Sequence, residues 1–454
     1  MTNALKILLT QQRFDLIFKY LYAQNPTDFN RTAYLESIRA FNGGHETELS
    51  DGVPKESLQD FIDSYDRLLA SIKSKGFDSS VGRIPVQRNG EISDGAHRLS
   101  ACAAYGVDIE TIDDDEHSDI YSFQLFEKRR MDKRIMDYGA LEYVKLNPNA
   151  HIVNLQSVTD PCQDDKVIEI LEKYGFVFYK KNVHLTLNGY INLKKISYGS
   201  FWDRESWIGT NENGFAGAVM HAKQSMGKNP CRVFVFVCDD LEKVLQAKSE
   251  IRELYKIGNF SVHINDTHDE AIWLAEAYFN ENSLFWINNC PYKFEDKNFD
   301  DHIEFFKKVI KSVGLKSDDF CCVGSTVLNA FGIRHADDVD YLTIADFAKE
   351  NEIISPHDDQ LQYYPIGKRA IITVPSNHFY YHGMKIYTLP MAFKMKLKRG
   401  EKKDIKDCAR MLVLYGRTLK LFLRNQYILV MQRIRKQAWL TKPYMCVKNI
   451  IKNK

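Results

Sequence analysis

Residues 321–342 read Cys-Cys-Val-Gly-Ser-Thr-Val-Leu-Asn-Ala-Phe-Gly-Ile-Arg-His-Ala-Asp-Asp-Val-Asp-Tyr-Leu. The apolar run Phe320 to Val323 predicts a strand, and Gly324-Ser325 a turn after it. A short helix is expected next, then a second strand opened by Asp338-Val339-Asp340. Residues two apart on a strand point to the same face, so Asp338 and Asp340 are placed to bind one Mg²⁺ together. Such a hard cation takes a few carboxylate oxygens and fills its shell with water and phosphate. The Gly-Ser turn lets backbone N–H groups approach a triphosphate closely.

This pattern resembles the nucleotidyltransferase superfamily of the polymerase-beta-like fold: apolar-Gly-Gly/Ser, about a dozen residues, then Asp-apolar-Asp. The resemblance covers roughly residues 300–415. It implies Asp338 and Asp340 as catalytic Mg²⁺ ligands and Gly324 and Ser325 as the phosphate cradle. Arg334, in the flanking Gly332-Ile333-Arg334, is counted with the nucleotide-binding residues. The superfamily adds a third carboxylate on a later strand, and here the sequence departs from it. The expected strand Ala370 to Val374 has no acid, Asp358 and Asp359 fall in a loop before it, and the hairpin Phe379 to Ile386 is acid-free.

A second constellation lies near the N-terminus. Ser57 to Lys73 is an amphipathic helix, with Leu58, Phe61, Ile62, Tyr65, Leu68, Leu69 and Ile72 at helical spacing and Gly76 as its stop. Ile84-Pro85-Val86 is a short strand, Asn89-Gly90 a hairpin turn and Glu91-Ile92-Ser93 the return strand. Asp94-Gly95-Ala96-His97-Arg98 follows, opening a helix from Leu99 to Tyr105 that closes at Gly106. Backbone N–H groups, an imidazole and a guanidinium at a helix start form an anion site. This turn resembles the ParB/sulfiredoxin-like family, whose Asp-Gly-x-His-Arg members include small-molecule kinases. By that resemblance Asp94, Gly95, His97 and Arg98 bind nucleotide. Glu46, in the upstream His45-Glu46 pair, would be the general base, with Glu48 equally placed. No basic helix-turn-helix follows the turn, so no DNA partner is expected.

Composition sets the frame. The chain has 454 residues, 44% hydrophobic, with a net charge of +1. That length predicts two to four globular domains, and the charge favours no class of partner. The nine cysteines show no metal-type spacing and read as reduced, cytoplasmic thiols. Leu5 to Tyr22 is apolar but interrupted by Arg13, Asp15 and Lys19, unlike a signal peptide, and no run is long enough to span a membrane.

The expected architecture is α/β (α+β) and multidomain: a ParB-like module over 1–135, an α/β middle region of unknown role over 136–290, a nucleotidyltransferase-fold module over 291–419, and a basic tail over 420–454. In the middle region Arg232 to Cys238 and Phe260 to Ile264 read as strands, and Asp240 to Tyr255 and Asp269 to Phe279 as helices. His263, His268, Asp266, Asp269 and Glu270 are metal-ligand types, yet Thr267-x-x-Glu270 is also a capping box. Tyr198, Trp202 and Trp207 are either a sugar-stacking surface or core. Lys394, Lys396, Lys398, Arg399, Lys402 and Lys403 are either triphosphate contacts or a solvated face. The tail is basic and apolar without acids, fitting an anionic membrane surface or a protein partner.

The functional expectation is a nucleotide-handling transferase that phosphorylates or nucleotidylates a small hydroxylated acceptor, with Mg²⁺ and a nucleoside triphosphate. The resemblance extends to proteins encoded with bacterial surface-polysaccharide enzymes. The alternatives are a non-catalytic nucleotide sensor and a toxin-type transferase acting on protein or RNA.

Overall fold

The computed structural model describes residues 1–48, 54–198, 204–414 and 416. The basic tail over 420–454 lies outside them. The architecture is mixed helix and sheet, with three separate sheets among the described residues.

The first region is mostly helical. Helices Asn3–Thr10, Leu16–Gln24 and Asp28–Phe41 precede the helix Leu58–Lys75. Ser57 and Asp60 form a capping box on the last, and Gly76 stops it at φ 77°. Both ends were legible because each carries its own signal. Strand β1 (Ile84–Gln87) pairs in parallel with β2 (Thr111–Asp114). The expected return strand at 91–93 is only a bridge, Val86 to Ile92. The segment still bonds β1 through Gln87 to the Glu91 carbonyl at 2.8 Å and Ser93 to the Pro85 carbonyl at 3.2 Å, and Gln11 holds its outer side, accepting from the Ile92 amide at 2.7 Å and donating to the Gly90 carbonyl at 2.9 Å. The helix after the turn is Ala96–Tyr105, capped by Gly95 at φ 79° and Gly106 at φ 70°.

The middle region is an antiparallel sheet ordered β4-β5-β3-β6: β3 (Ala150–Leu155), β4 (Phe176–Val183), β5 (Cys231–Val237) and β6 (Val262–Ile264). Every residue of β5 is buried, which explains its continuous apolar reading. Helices Leu187–Ser197, Ala216–Ser225, Leu241–Tyr255 and His268–Tyr278 accompany it.

The third region holds a five-stranded mixed sheet ordered β10-β11-β7-β8-β9. β7 (Phe320–Cys322) runs antiparallel to β8 (Val339–Thr343), which pairs in parallel with β9 (Ile354–Pro356). β10 (His378–Tyr381) and β11 (Met384–Tyr387) form the expected hairpin, turning through His382 and Gly383 at positive φ. The helix Lys297–Ser312 buries Phe299, Ile303, Phe306 and Ile310, with the Phe306 ring 4.9 Å from that of Tyr341 on β8. The charged stretch Lys293 to Asp300 reads in sequence as a linker, but the helix begins within it. The strand expected over 370–374 is the helix Lys368–Thr373. Its Ile371-Ile372 pair is buried and looked like strand, but backbone bonds from Ile371 to Gly367 and from Val374 to Ala370 close helical turns. β9 takes the place beside β8 instead.

One helix, Lys133–Leu146, touches all three regions. Tyr143 donates to the Leu9 carbonyl at 2.6 Å and stacks on Phe178 at 3.6 Å. Asp137 pairs with Lys181 at 2.6 Å, and Lys145 reaches Asp318 at 3.0 Å. The boundary expected at 135 falls within this helix. Among the described residues no helix is long and apolar enough to cross a membrane, and the eight cysteines there are unpaired.

Candidate nucleotide sites

In the third region the quoted motif folds as strand, turn, short helix and strand, with Asp340 on β8 and Asp338, expected on the same strand, in the bend just before it. β7 ends at Cys322, the chain turns through Gly324 at φ 65°, and the short helix Thr326–Ala330 leads back to β8. The Val323 amide donates to the Asp340 carbonyl at 2.8 Å, fixing the turn against the start of β8. Tyr387 donates to the Gly324 carbonyl at 2.9 Å from the other side. A Cβ at Gly324 would collide with the Asp340 carboxylate, so this position needs glycine for both backbone and space. The amides of Gly324 and Ser325 have no protein acceptor among the described residues.

Gly324, Ser325, Asp338 and Asp340 line one cavity of about 480 Å³. It is also lined by cations: Lys396 and Arg399 from the helix Leu389–Arg399, and Lys403, Lys406 and Arg410 from the helical segment 402–414. Lys396 is held by Asp404 at 3.3 Å and Asp407 at 3.1 Å, and Arg399 by Asp404 at 2.8 Å. Lys406 has no ion-pair partner among the described residues. Arg334 also lines the cavity, but its guanidinium is engaged by Asp407 at 3.0 and 3.1 Å. Of the expected lysines, 394, 398 and 402 do not line it.

Burial raises the Asp340 carboxyl above its ordinary range, against the lowering effect of Ser355 and Lys396. Burial raises Asp338 too, and the Asp340 charge adds to it. Two half-buried carboxylates that repel one another are stabilised by a cation between them. Ser355, opposite Asp340 on the neighbouring strand β9, donates to its carboxylate at 3.2 Å. Among the described residues no group of three or more His, Cys, Asp or Glu is gathered as a metal site. Asp338 and Asp340, with free amides among the described residues and cations lining the same cavity, fit Mg²⁺ carried on a polyphosphate better than a metal held by protein alone.

The N-terminal turn lies on a second cavity, of about 300 Å³. Asp94, Gly95, His97 and Arg98 line it, and so do Arg13, Asp15, Lys19 and Glu48. His97 meets the Tyr34 hydroxyl at 2.9 Å and packs edge-on to Tyr65, and burial holds its pKa well below the ordinary value. Arg98 donates to the Gly82 carbonyl at 2.7 Å. Asp15 is fully buried between Arg13, at 2.9 Å, and Lys19. Burial would raise its pKa, but the two cations overcome that and hold the carboxyl far below its usual range. His45 and Glu46 are exposed and do not line the cavity; Glu48 does, paired with Lys55 at 2.5 Å. The interruptions of the N-terminal apolar run were therefore the missed signal. Arg13, Asp15 and Lys19 are charged residues on buried positions.

The acid- and histidine-rich stretch at 263–270 is not a metal cluster. Thr267 caps the helix His268–Tyr278 by accepting from the Glu270 amide at 3.3 Å. Glu270 instead binds His263 at 2.7 Å, and His268 turns away to the Val144 carbonyl at 2.7 Å.

No protein-family model, no curated protein and no solved structure matches the chain. The functional reading rests on the geometry of these two cavities.

Proposed function

We propose that the chain is a nucleotide-handling transferase whose third region binds a Mg²⁺–nucleoside triphosphate at Gly324, Ser325, Asp338 and Asp340. One observation carries this reading. Gly324 and Ser325, whose amides have no acceptor among the described residues, line one cavity with Asp338, Asp340 and the cations Lys403, Lys406 and Arg410. Mg²⁺ bound there supplies charge stabilisation to phosphoryl oxygens during transfer. Asp338 and Asp340 hold it, the amides of Gly324 and Ser325 take phosphate oxygens, and Lys403 and Lys406 balance the remaining charge. Arg334 and Lys396 position the wall through Asp407 rather than contacting phosphate. The acceptor in this reading is a small hydroxylated building block, of the kind used in bacterial surface polysaccharides.

The first region is proposed to bind a second phosphate-bearing ligand. Arg13, Lys19 and Arg98 surround its cavity, and Glu48 is the carboxylate placed to accept a hydroxyl proton. A kinase step at this site and nucleotidyl transfer at the other are chemically consecutive: the first makes a phosphate ester, the second joins it to a nucleoside monophosphate.

A non-catalytic nucleotide sensor is the second reading, favoured by Ser355. No carboxylate on β9 completes the site, and His357, 3.9 Å from Asp340, is kept neutral by burial, which pushes its pKa down to about 4. Labelled nucleoside triphosphates with Mg²⁺ and a panel of polyols and polyol phosphates separate the two. Pyrophosphate release that needs Asp338 and Asp340 supports the transferase. Tight binding without release supports the sensor, and no binding removes both.

A further inference from the structure

The middle sheet carries a buried polar layer that neither nucleotide site uses. In the β3–β6 register Asn154 lies opposite His263, so the two share a face. Gln156, two residues beyond Asn154, continues that face past the strand end, next to Cys231 at the start of β5. Helix Leu187–Ser197 lays Tyr190 and Lys194 over the layer, and helix Ala216–Ser225 brings His221. Tyr190 bonds the Ser157 amide at 2.9 Å and Cys231 Sγ at 2.8 Å. The Tyr198 ring lies 5.1 Å from His263 and 4.8 Å from Trp207.

Several polar groups in this layer are left without partners. Gln156 is 0% exposed, and neither its Oε1 nor its Nε2 has a hydrogen bond among the described residues. Asn154 donates to Tyr278, but its Oδ1 has no donor. Lys194 is 1% exposed and makes no ion pair or hydrogen bond among the described residues, its Nζ lying 5.8 Å from the Tyr198 ring centre. Half-buried Arg252, on the helix Leu241–Tyr255 and within electrostatic reach of Tyr198, has a buried Nε with no partner and no ion pair among the described residues. The carboxylates nearby are already engaged: Glu270 by His263 at 2.7 Å, Glu205 by Trp207 at 2.6 Å and Asp266 by Lys248 at 3.0 Å.

A buried unpaired cation and a buried unpaired amide are each costly. Two cations and two amides gathered at one sheet end are explained by a ligand that completes them. The geometry points to a third binding site, for a small anionic polyol such as a sugar phosphate or sugar acid. Lys194 and Arg252 take the anionic group. Gln156 and Asn154 offer a donor and acceptors for hydroxyls, and the Tyr198 and Trp207 rings give a face for the carbon skeleton.

The test is calorimetry on the full chain with ribose 5-phosphate, glucuronate, inorganic phosphate and neutral glucose. The site predicts binding of ribose 5-phosphate or glucuronate above that of glucose. Whichever of the two binds more tightly identifies phosphate or carboxylate as the recognised group. Lys194→Met and Arg252→Met should each weaken that binding by roughly 10- to 100-fold. Gln156→Leu should weaken the polyol more than inorganic phosphate. Thermal unfolding of Lys194→Met should come at the same temperature as wild type or higher, since a buried unpaired charge has been removed. Anion binding that is unchanged in both Met variants, or absent from the wild type, overturns the site. So does a Lys194→Met protein that loses stability along with binding while Arg252→Met binds normally.

Discussion

The third-region cavity and the first-region cavity were both announced by a glycine turn, yet they are built differently. Around Gly324 the motif supplies its own site. The turn, the free amides and both carboxylates come from 17 consecutive residues, 324–340, across one antiparallel strand pair. Around Gly95 the motif spends much of itself on the fold. His97 is committed to Tyr34, Arg98 to the Gly82 carbonyl, and the cavity is completed by Arg13, Asp15 and Lys19 from about eighty residues upstream. A turn motif thus marks where a site is, but only the remote partners tell which of its side chains are free to act.

That comparison breaks first at the base of the first region. If Glu48 is the proton acceptor, Glu48→Gln should lower phosphoryl transfer there on the order of 10²–10⁴-fold, while exposed Glu46→Gln should leave it unchanged. The check is steady-state transfer to polyol acceptors, and the reverse pattern would return the role to Glu46. The next effect is on stability. Asp15→Ala leaves two buried cations uncompensated and should cost about 3–5 kcal/mol in chemical denaturation, whereas exposed Asp94→Ala should stay within about 0.5 kcal/mol. The pH dependence follows with its sign. Because the folded-state pKa of Asp15 is depressed, its contribution is present above the unfolded value near roughly pH 4 and is lost as pH falls below it. Asp15→Asn should flatten that part of the acid limb.

Gly324→Ala tests the local construction of the other site. A side chain at φ 65°, pressed on Asp340, should cost about 1–3 kcal/mol and displace the carboxylate, so Mg²⁺-dependent nucleotide affinity falls with it. Arg98→Ala should show a smaller stability change than Asp15→Ala, about 1 kcal/mol for the lost Gly82 bond, with a larger loss of ligand affinity if the guanidinium also serves phosphate. Equal losses in both would make Arg98 a structural residue only.

The legible parts of the fold were those with local signals. Ser57, Asp60 and Gly76 bracketed one helix, and Asp338 and Asp340 were readable from spacing alone. The strands β3 and β4 went unread, since each has polar residues on a buried face, as Asn154 and Lys181 show. The helix Lys368–Thr373 was misread because two adjacent isoleucines imitate a buried strand. Arg13, Asp15 and Lys19 looked like breaks in an apolar run because nothing in sequence tells a buried charge triad from a solvated one. The assignment of Arg334 had a similar fault: its partner, Asp407, lies 73 residues on.

The central claim is that Asp338 and Asp340 hold the metal of a bound triphosphate, and calorimetric titration of Mg²⁺–ATP and Mg²⁺–CTP into the full chain tests it most directly. The account predicts Mg²⁺-dependent binding to the wild type that is abolished, with the thermal unfolding temperature retained or raised, in Asp338→Asn/Asp340→Asn. To separate this site from the first-region cavity, both proteins are titrated in an Arg98→Ala background. A double mutant that binds Mg²⁺–triphosphate as tightly as its parent would contradict the account.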